Sequence, residues 1–246
     1  MKNLSSKIDF VLVFSVRNAN PNGDPLSGNR PRTDYNGFGE VSDVCLKRKI
    51  RDRLQENGCS IFVQPNDRKN DTAKSLRDRA ETFLGDKFGS DEMAPAACKQ
   101  WLDVRMFGQL FAFSKKGKGG KKGKKGEVVE STESVDENKD GVAIPIRGPV
   151  SIHSAFSVDA VNITSTQITK SVNGETVENK AGEIGYKRSS DTMGMKHRVD
   201  YGVYVMRGSM NPQLAERTGF SDADADLFKG VLPKLFENDA SSARPD

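Results

Sequence analysis

Two arginines flanking a proline, Arg30-Pro31-Arg32, speak most directly of chemistry in this sequence. The proline stiffens the segment, and each guanidinium offers a planar fork of donors that matches a phosphate with two hydrogen bonds. Just upstream, Asn18, Asn20 and Asn22 recur in Asn18-Ala-Asn-Pro-Asn-Gly-Asp-Pro. Their carboxamides can bond sugars or phosphates, and they are equally ordinary turn formers. Downstream, Lys47, Arg48 and Arg51 add cations that either meet phosphates or form a solvated face. Together these residue types suit the backbone of a nucleic acid better than its base edges.

The elements that must position them are legible from periodicity. Ile8, Phe10, Leu12, Phe14 and Val16 alternate with Asp9, Val11, Val13, Ser15 and Arg17, which predicts a β-strand leading into the asparagine-rich loop. After the loop, Ser42 is placed to cap a helix carrying Leu46, Ile50 and Leu54 on one side, with Gly58 just beyond its end. Leu76, Ala80, Phe83 and Leu84 predict a second helix, and Trp101 to Phe113 a third. Val142 to His153 reads as β structure confined by prolines to edge or bulged geometry. Val158 to Val172 reads as extended chain before the Asn173-Gly174 turn, with a projecting hairpin as the expectation. Val199 to Met206 predicts another strand, and Ser221 with Asp224 caps a helix through Leu235 that Pro233 kinks or shortens.

This order is that of an α+β, ferredoxin-like or RRM-like fold, with one final strand still to come. It implies a single domain over residues 1–246, a helical and disordered insertion over about 60–141, and a hairpin and loop over about 158–198. Within that insertion, residues 115–126 hold seven lysines and five glycines, followed by Glu127, Glu130, Glu133, Asp136, Glu137 and Asp140. Such a run builds no core, and its lysines lack the aromatic partners of a stacking surface.

Net charge is only +4, from 38 basic and 34 acidic side chains, so the clustering of charge matters more than its total. Cys45, Cys59 and Cys98 form no ligand pattern with the two histidines, so neither zinc nor a disulfide is expected, nor any cofactor. The start lacks a signal-peptide core and no apolar stretch is long enough for a bilayer, which points to a cytoplasmic protein without a membrane partner.

Further candidates lie later in the chain. Arg147 stands beside Gly148, where backbone can approach a ligand or merely form a bulge. Met193, Lys196 and His197 fall in what reads as a glycine-containing loop. There a methionine could wedge against a displaced base and the lysine could meet phosphate, or the loop could simply be mobile.

Asn20-Pro-Asn-Gly-Asp-Pro, Gly28-Asn-Arg-Pro-Arg and Val41-Ser-Asp-Val-Cys-Leu-Lys-Arg-Lys-Ile-Arg together resemble the N-terminal signature of the Cascade backbone subunits of type I-C CRISPR systems. These form the crRNA-binding Cas-seven family of the RAMP superfamily. Ile146-Arg-Gly-Pro-Val-Ser-Ile and Asp191-Thr-Met-Gly-Met-Lys-His, leading into Tyr201-Gly-Val-Tyr, are similar to that family in the same order. The resemblance implies an RRM-like palm with an inserted helical and loop subdomain and a β-hairpin thumb. It implies further β structure where this sequence ends. It also implies a homo-oligomeric filament of such subunits along one crRNA. The filament would present the guide to target DNA for antiviral defence, beside other Cascade subunits and a recruited helicase-nuclease, with no metal and no catalysis of its own.

Three rival functions stay open, the second of them by analogy with the same superfamily. A metal-independent ribonuclease would use His153 or His197 with Lys196. A type III-like endoribonuclease of the same superfamily would use Asp24 or Asp34. A monomeric RRM-type binder would need an aromatic RNP1-like run, which the sequence lacks.

Overall fold

The computed structural model describes residues 2–113, 142–169, 177–178, 184–185 and 193–244. The lysine–glycine run, the acidic stretch after it and the Asn173-Gly174 turn lie outside them. The strands are β1 (Ile8–Ala19), β2 (Gly23–Asp24), β3 (Arg30–Pro31), β4 (Phe38–Val41), β5 (Gly108–Phe113), β6 (Val142–Arg147), β7 (Val150–Ile152), β8 (Ala155–Ala160), β9 (Ile163–Thr169), β10 (Val177–Glu178), β11 (Ile184–Gly185) and β12 (Met193–Met210). The helices are α1 (Asp43–Glu56), α2 (Leu76–Leu84), α3 (Met93–Gln100), α4 (Leu102–Phe107), α5 (Pro212–Thr218) and α6 (Asp222–Val231). The chain falls into two compact units, one of Met1–Lys7, Leu54–Val150 and Asn211–Asp226, the other of Ile8–Arg53, Ser151–Met210 and Leu227–Asp246.

The second unit is built on an antiparallel sheet of order β1-β12-β8-β4, with β7 and β9 also pairing β12. β1 behaves as its alternation requires: Ile8, Phe10, Leu12 and Phe14 are half-buried and Val16 is buried, while Val11 and Val13 face outward. Phe14 stacks on Tyr204 with ring centroids 5.5 Å apart and also meets Phe236, and Phe10 meets Phe228 edge-on. β4 lies so close to this core that a Cβ on Gly39 would fall 2.3 Å from the Tyr204 hydroxyl. The Gly39 N–H donates to Ser157 Oγ at 2.8 Å, which fixes the strand from both sides.

α1 forms as the spacing predicts. Ser42 Oγ accepts from the Cys45 N–H, Leu46, Ile50 and Leu54 are fully buried, and Gly58 follows the helix at φ +80°. The expectation of a loop at Met193–His197 is overturned. β12 is one strand of 18 residues, because Met193 to Val199 pair residue by residue with Thr169 to Ile163 of β9. That ladder satisfies backbone groups that local sequence leaves open.

The first unit packs around Phe62, Leu84, Met93, Trp101, Val104 and Phe111. α2 forms as its spacing predicts, and Ser75 caps its start. A single helix over Trp101–Phe113 does not form. α4 ends at Phe107, Gly108 turns at φ +80°, and β5 pairs antiparallel with β6. Two backbones meet there: a Cβ on Gly108 would lie 2.2 Å from the Ile146 carbonyl oxygen, and one on Gly148 2.3 Å from that of Met106. α3 and α5 were not anticipated, although Asn211 caps α5, Pro212 opens it and Gly219 closes it in the left-handed region. At the start of α6, Ser221 and Asp224 form the expected reciprocal box, and Pro233 falls in the 3-10 turn after it. Among the described residues no helix is long and apolar enough to cross a membrane.

Candidate nucleic-acid interface

The asparagines shape the loop between β1 and β4. Asn18, exposed and at φ +50°, occupies the step where β1 pairing skips from Arg17 to Ala19. Asn20 is 4% exposed, and its Nδ2 donates to the Asn29 carbonyl at 2.7 Å. Its Oδ1 is buried without a partner among the described residues. Asn22 Oδ1 accepts from both the N–H and the hydroxyl of Ser42, at 2.9 and 2.8 Å, which ties the loop to the start of α1. Asn20 and Asn22 thus brace the loop through side-chain bonds to residues 9 and 20 positions away.

Between them β2 and β3 make a short hairpin, with Gly23 opposite Pro31 and Asp24 opposite Arg30, closed through Gly28 and Asn29 in the left-handed region. Asp24 holds this turn: its oxygens accept from the Leu26 N–H and the Ser27 hydroxyl, and Oδ1 lies 3.4 Å from Arg32 Nη2. Arg30 is exposed and has no side-chain partner among the described residues. Both arginines line an open cleft of about 250 Å³ with Asp24, Thr33, Glu40 and Ile163. Sequence reasoning missed Glu40, because a lone glutamate in a short strand carries no local signal.

The helix cations are placed differently. Lys47 pairs with Asp43 at 2.9 Å and Arg48 pairs with Asp52, each one turn away on α1. Arg51 is half-buried on the same helix, and Lys49 pairs with Asp239 beneath the Phe236 ring.

On β12, Met193 and Lys196 are exposed, and Met193 Sδ accepts from Gln167 Nε2. His197 Nδ1 lies 2.7 Å from Ser165 Oγ, on the face of the strand opposite to Lys196. Arg147 is exposed on β6 in the other unit. Its neighbour Gly148 is small because Met106 passes over it, so the close approach there is to the chain's own backbone.

The residues of the hydrolytic rivals do not converge. The His153 N–H donates to the Arg207 carbonyl, ten positions along β12 from His197, so the two histidines stand on the order of 33 Å apart. Asp34 Oδ1 accepts from the N–H groups of Asn36 and Phe38, and Asp24 is engaged as described. Among the described residues no group of three or more His, Cys, Asp or Glu is placed to hold a metal. Burial raises the Cys45 thiol above its ordinary range and pushes Cys98 up to about 11, so neither is an activated nucleophile.

The anchored loop beside the antiparallel sheet thus carries one guanidinium with no side-chain partner among the described residues. Residues 6–246 match the family described as "CRISPR-associated protein Cas7". The chain belongs to the Cas7 family. A Haloferax volcanii protein described as "CRISPR-associated protein Cas7" is 26% identical, over 96% of this chain and 66% of its own length. The solved "CRISPR RNA-guided surveillance complex" is similar with a TM-score of 0.43 and 17% identity, covering 94% of this chain and 60% of that one. A "CRISPR RNA-guided surveillance complex, pre-nicking" gives a TM-score of 0.47 and 14% identity, covering 97% and 74%. The chain thus spans somewhat less than two thirds of its Cas7 relative from Haloferax.

Proposed function

We propose that this chain is a non-catalytic, crRNA-binding backbone subunit of a cytoplasmic type I-C Cascade complex. Copies of it line one guide RNA and present it to target DNA, alongside other Cascade subunits and a helicase-nuclease that acts in trans. Membership of the Cas7 family over residues 6–246 is the observation that carries this reading. The sheet order β1-β12-β8 supports an RRM-like palm, since it matches the first three strands of that fold, and the β9–β12 ladder supports a thumb.

The loop supplies the contact chemistry. Arg30 and Arg32 line one cleft on a hairpin whose backbone Asp24 and Asn22 brace, so phosphates meet cations carried on an ordered backbone. Lys196, exposed on β12, adds a further cation. The separation of His153 from His197 and the engagement of Asp24 and Asp34 favour a scaffold over a ribonuclease.

Size-exclusion chromatography with light scattering, on the protein mixed with RNA of increasing length, tests this. Bound mass should climb in steps of one subunit while the RNA stays intact. A fixed mass with shortened RNA would give the nuclease reading instead, and a single saturable site on short RNA would give the monomeric binder.

A further inference from the structure

We infer that Glu40 reads the ribose 2′-hydroxyl of the bound strand, so that this cleft selects RNA over DNA. The inference rests on the proposed function and adds a specificity residue to the same site. Glu40 is half-buried, yet its carboxylate has neither hydrogen bond nor ion pair among the described residues. It shares its cleft with Arg30, which is equally unpartnered, and with Arg32. A free acceptor and a free donor fork in one cleft, not joined to each other, suit a ligand that brings both an anion and a hydroxyl donor.

The position of Glu40 is built rather than accidental. Its N–H donates to the Arg32 carbonyl at 2.9 Å, which links β4 to the arginine segment. The strand carries a bulge between Phe38 and Glu40, and Gly39 is held by Tyr204 and Ser157. A carboxylate fixed beside a phosphate path repels every phosphate, so it helps binding only if the ligand donates to it. Along a nucleic-acid backbone the one such donor is the 2′-hydroxyl, which DNA lacks. Base amino groups could also donate, but their place changes with sequence, whereas the surrounding side chains suit a backbone.

The test compares fluorescence-anisotropy titrations of RNA, DNA and 2′-O-methyl RNA of one length and sequence, with the native protein, Glu40→Gln and Glu40→Ala. The native protein should prefer RNA over both analogues by about tenfold. Glu40→Ala should bring that ratio close to one by weakening RNA binding while DNA binding holds or tightens, and Glu40→Gln should fall between. A preference that survives Glu40→Ala overturns the inference, and so does a variant that tightens RNA and DNA alike, which is simple repulsion relieved. A Glu40 effect that changes with base composition, on a second sequence, assigns the contact to a base and overturns it too. If the native protein binds none of the strands, the backbone-subunit reading itself fails; if it prefers RNA independently of Glu40, only the ribose assignment does.

Discussion

One arginine site in each unit shows the residue used in opposite ways. In the first, Arg79 is 2% exposed and fully engaged: Nε and Nη2 grip both oxygens of Asp71 at 2.6 and 2.9 Å, and Nη1 donates to the Phe62 carbonyl at 2.7 Å. Arg105 likewise grips Asp224 with two bonds and donates to the Cys98 carbonyl. In the second unit Arg30 has no partner among the described residues, and Arg32 has one long contact at 3.4 Å and a buried Nε left unbonded. The difference lies not in the arginines but in whether the fold brings a carboxylate and a carbonyl to them. Where it does, the guanidinium is a structural strut; where it does not, the guanidinium remains available to a ligand.

Breaking a strut should have the largest effect. Arg79→Met removes the paired hydrogen bonds to the part-buried Asp71 carboxylate and the bond to the Phe62 carbonyl, and urea unfolding should show a loss of about 2–3 kcal/mol. The same pair sets an acid sensitivity. The Arg79 hydrogen bond holds the Asp71 carboxyl below its ordinary value, outweighing burial, so its contribution is present above that value and is lost as pH falls through the lower folded one. Native stability should therefore drop on acidification below about pH 4, and the drop should be shallower in Arg79→Met.

Asn22→Ala sits between the two regimes. It removes the acceptor for two Ser42 donors, so thermal or urea unfolding should show a loss of about 1–2 kcal/mol, and RNA affinity should fall as the arginine loop loosens.

Arg30→Ala with Arg32→Ala sharpens the contrast from the other side. Stability should change by no more than about 0.5 kcal/mol, while the slope of log affinity against log salt flattens by about 1.4 units for a single strand carrying two phosphate contacts. An unchanged slope with an intact fold would remove both arginines from the interface. Lys47→Ala, in a cation already paired on its own helix, should move that slope by well under the roughly 0.7 units of one phosphate contact.

Much of the framework was legible in the sequence because it rests on local rules. β1 follows from alternation, α1 from the Leu46–Ile50–Leu54 spacing and the Ser42 cap, and the start of α6 from the Ser221–Asp224 box. Composition made the arginine loop a candidate place for anions. The failures are equally instructive. Helix periodicity from Trp101 ran on past Gly108, where pairing with β6 turns the chain into strand, and the Met193–His197 loop became strand because β9 lies against it.

What the sequence determined by itself was the kind of element at β1, α1 and the start of α6, the Ser42 and Ser221 caps of the two helices and the family to which the motifs point. Only tertiary structure decided which charges remain for a ligand. The partners that silence Arg105 and Lys49 lie 119 and 190 positions away in the chain, whereas Arg30 and Glu40 line one cleft and find no such partner among the described residues. Charge pairing acts over a few ångströms of space whatever the distance along the chain, so no reading of neighbours in sequence could separate the strut from the site.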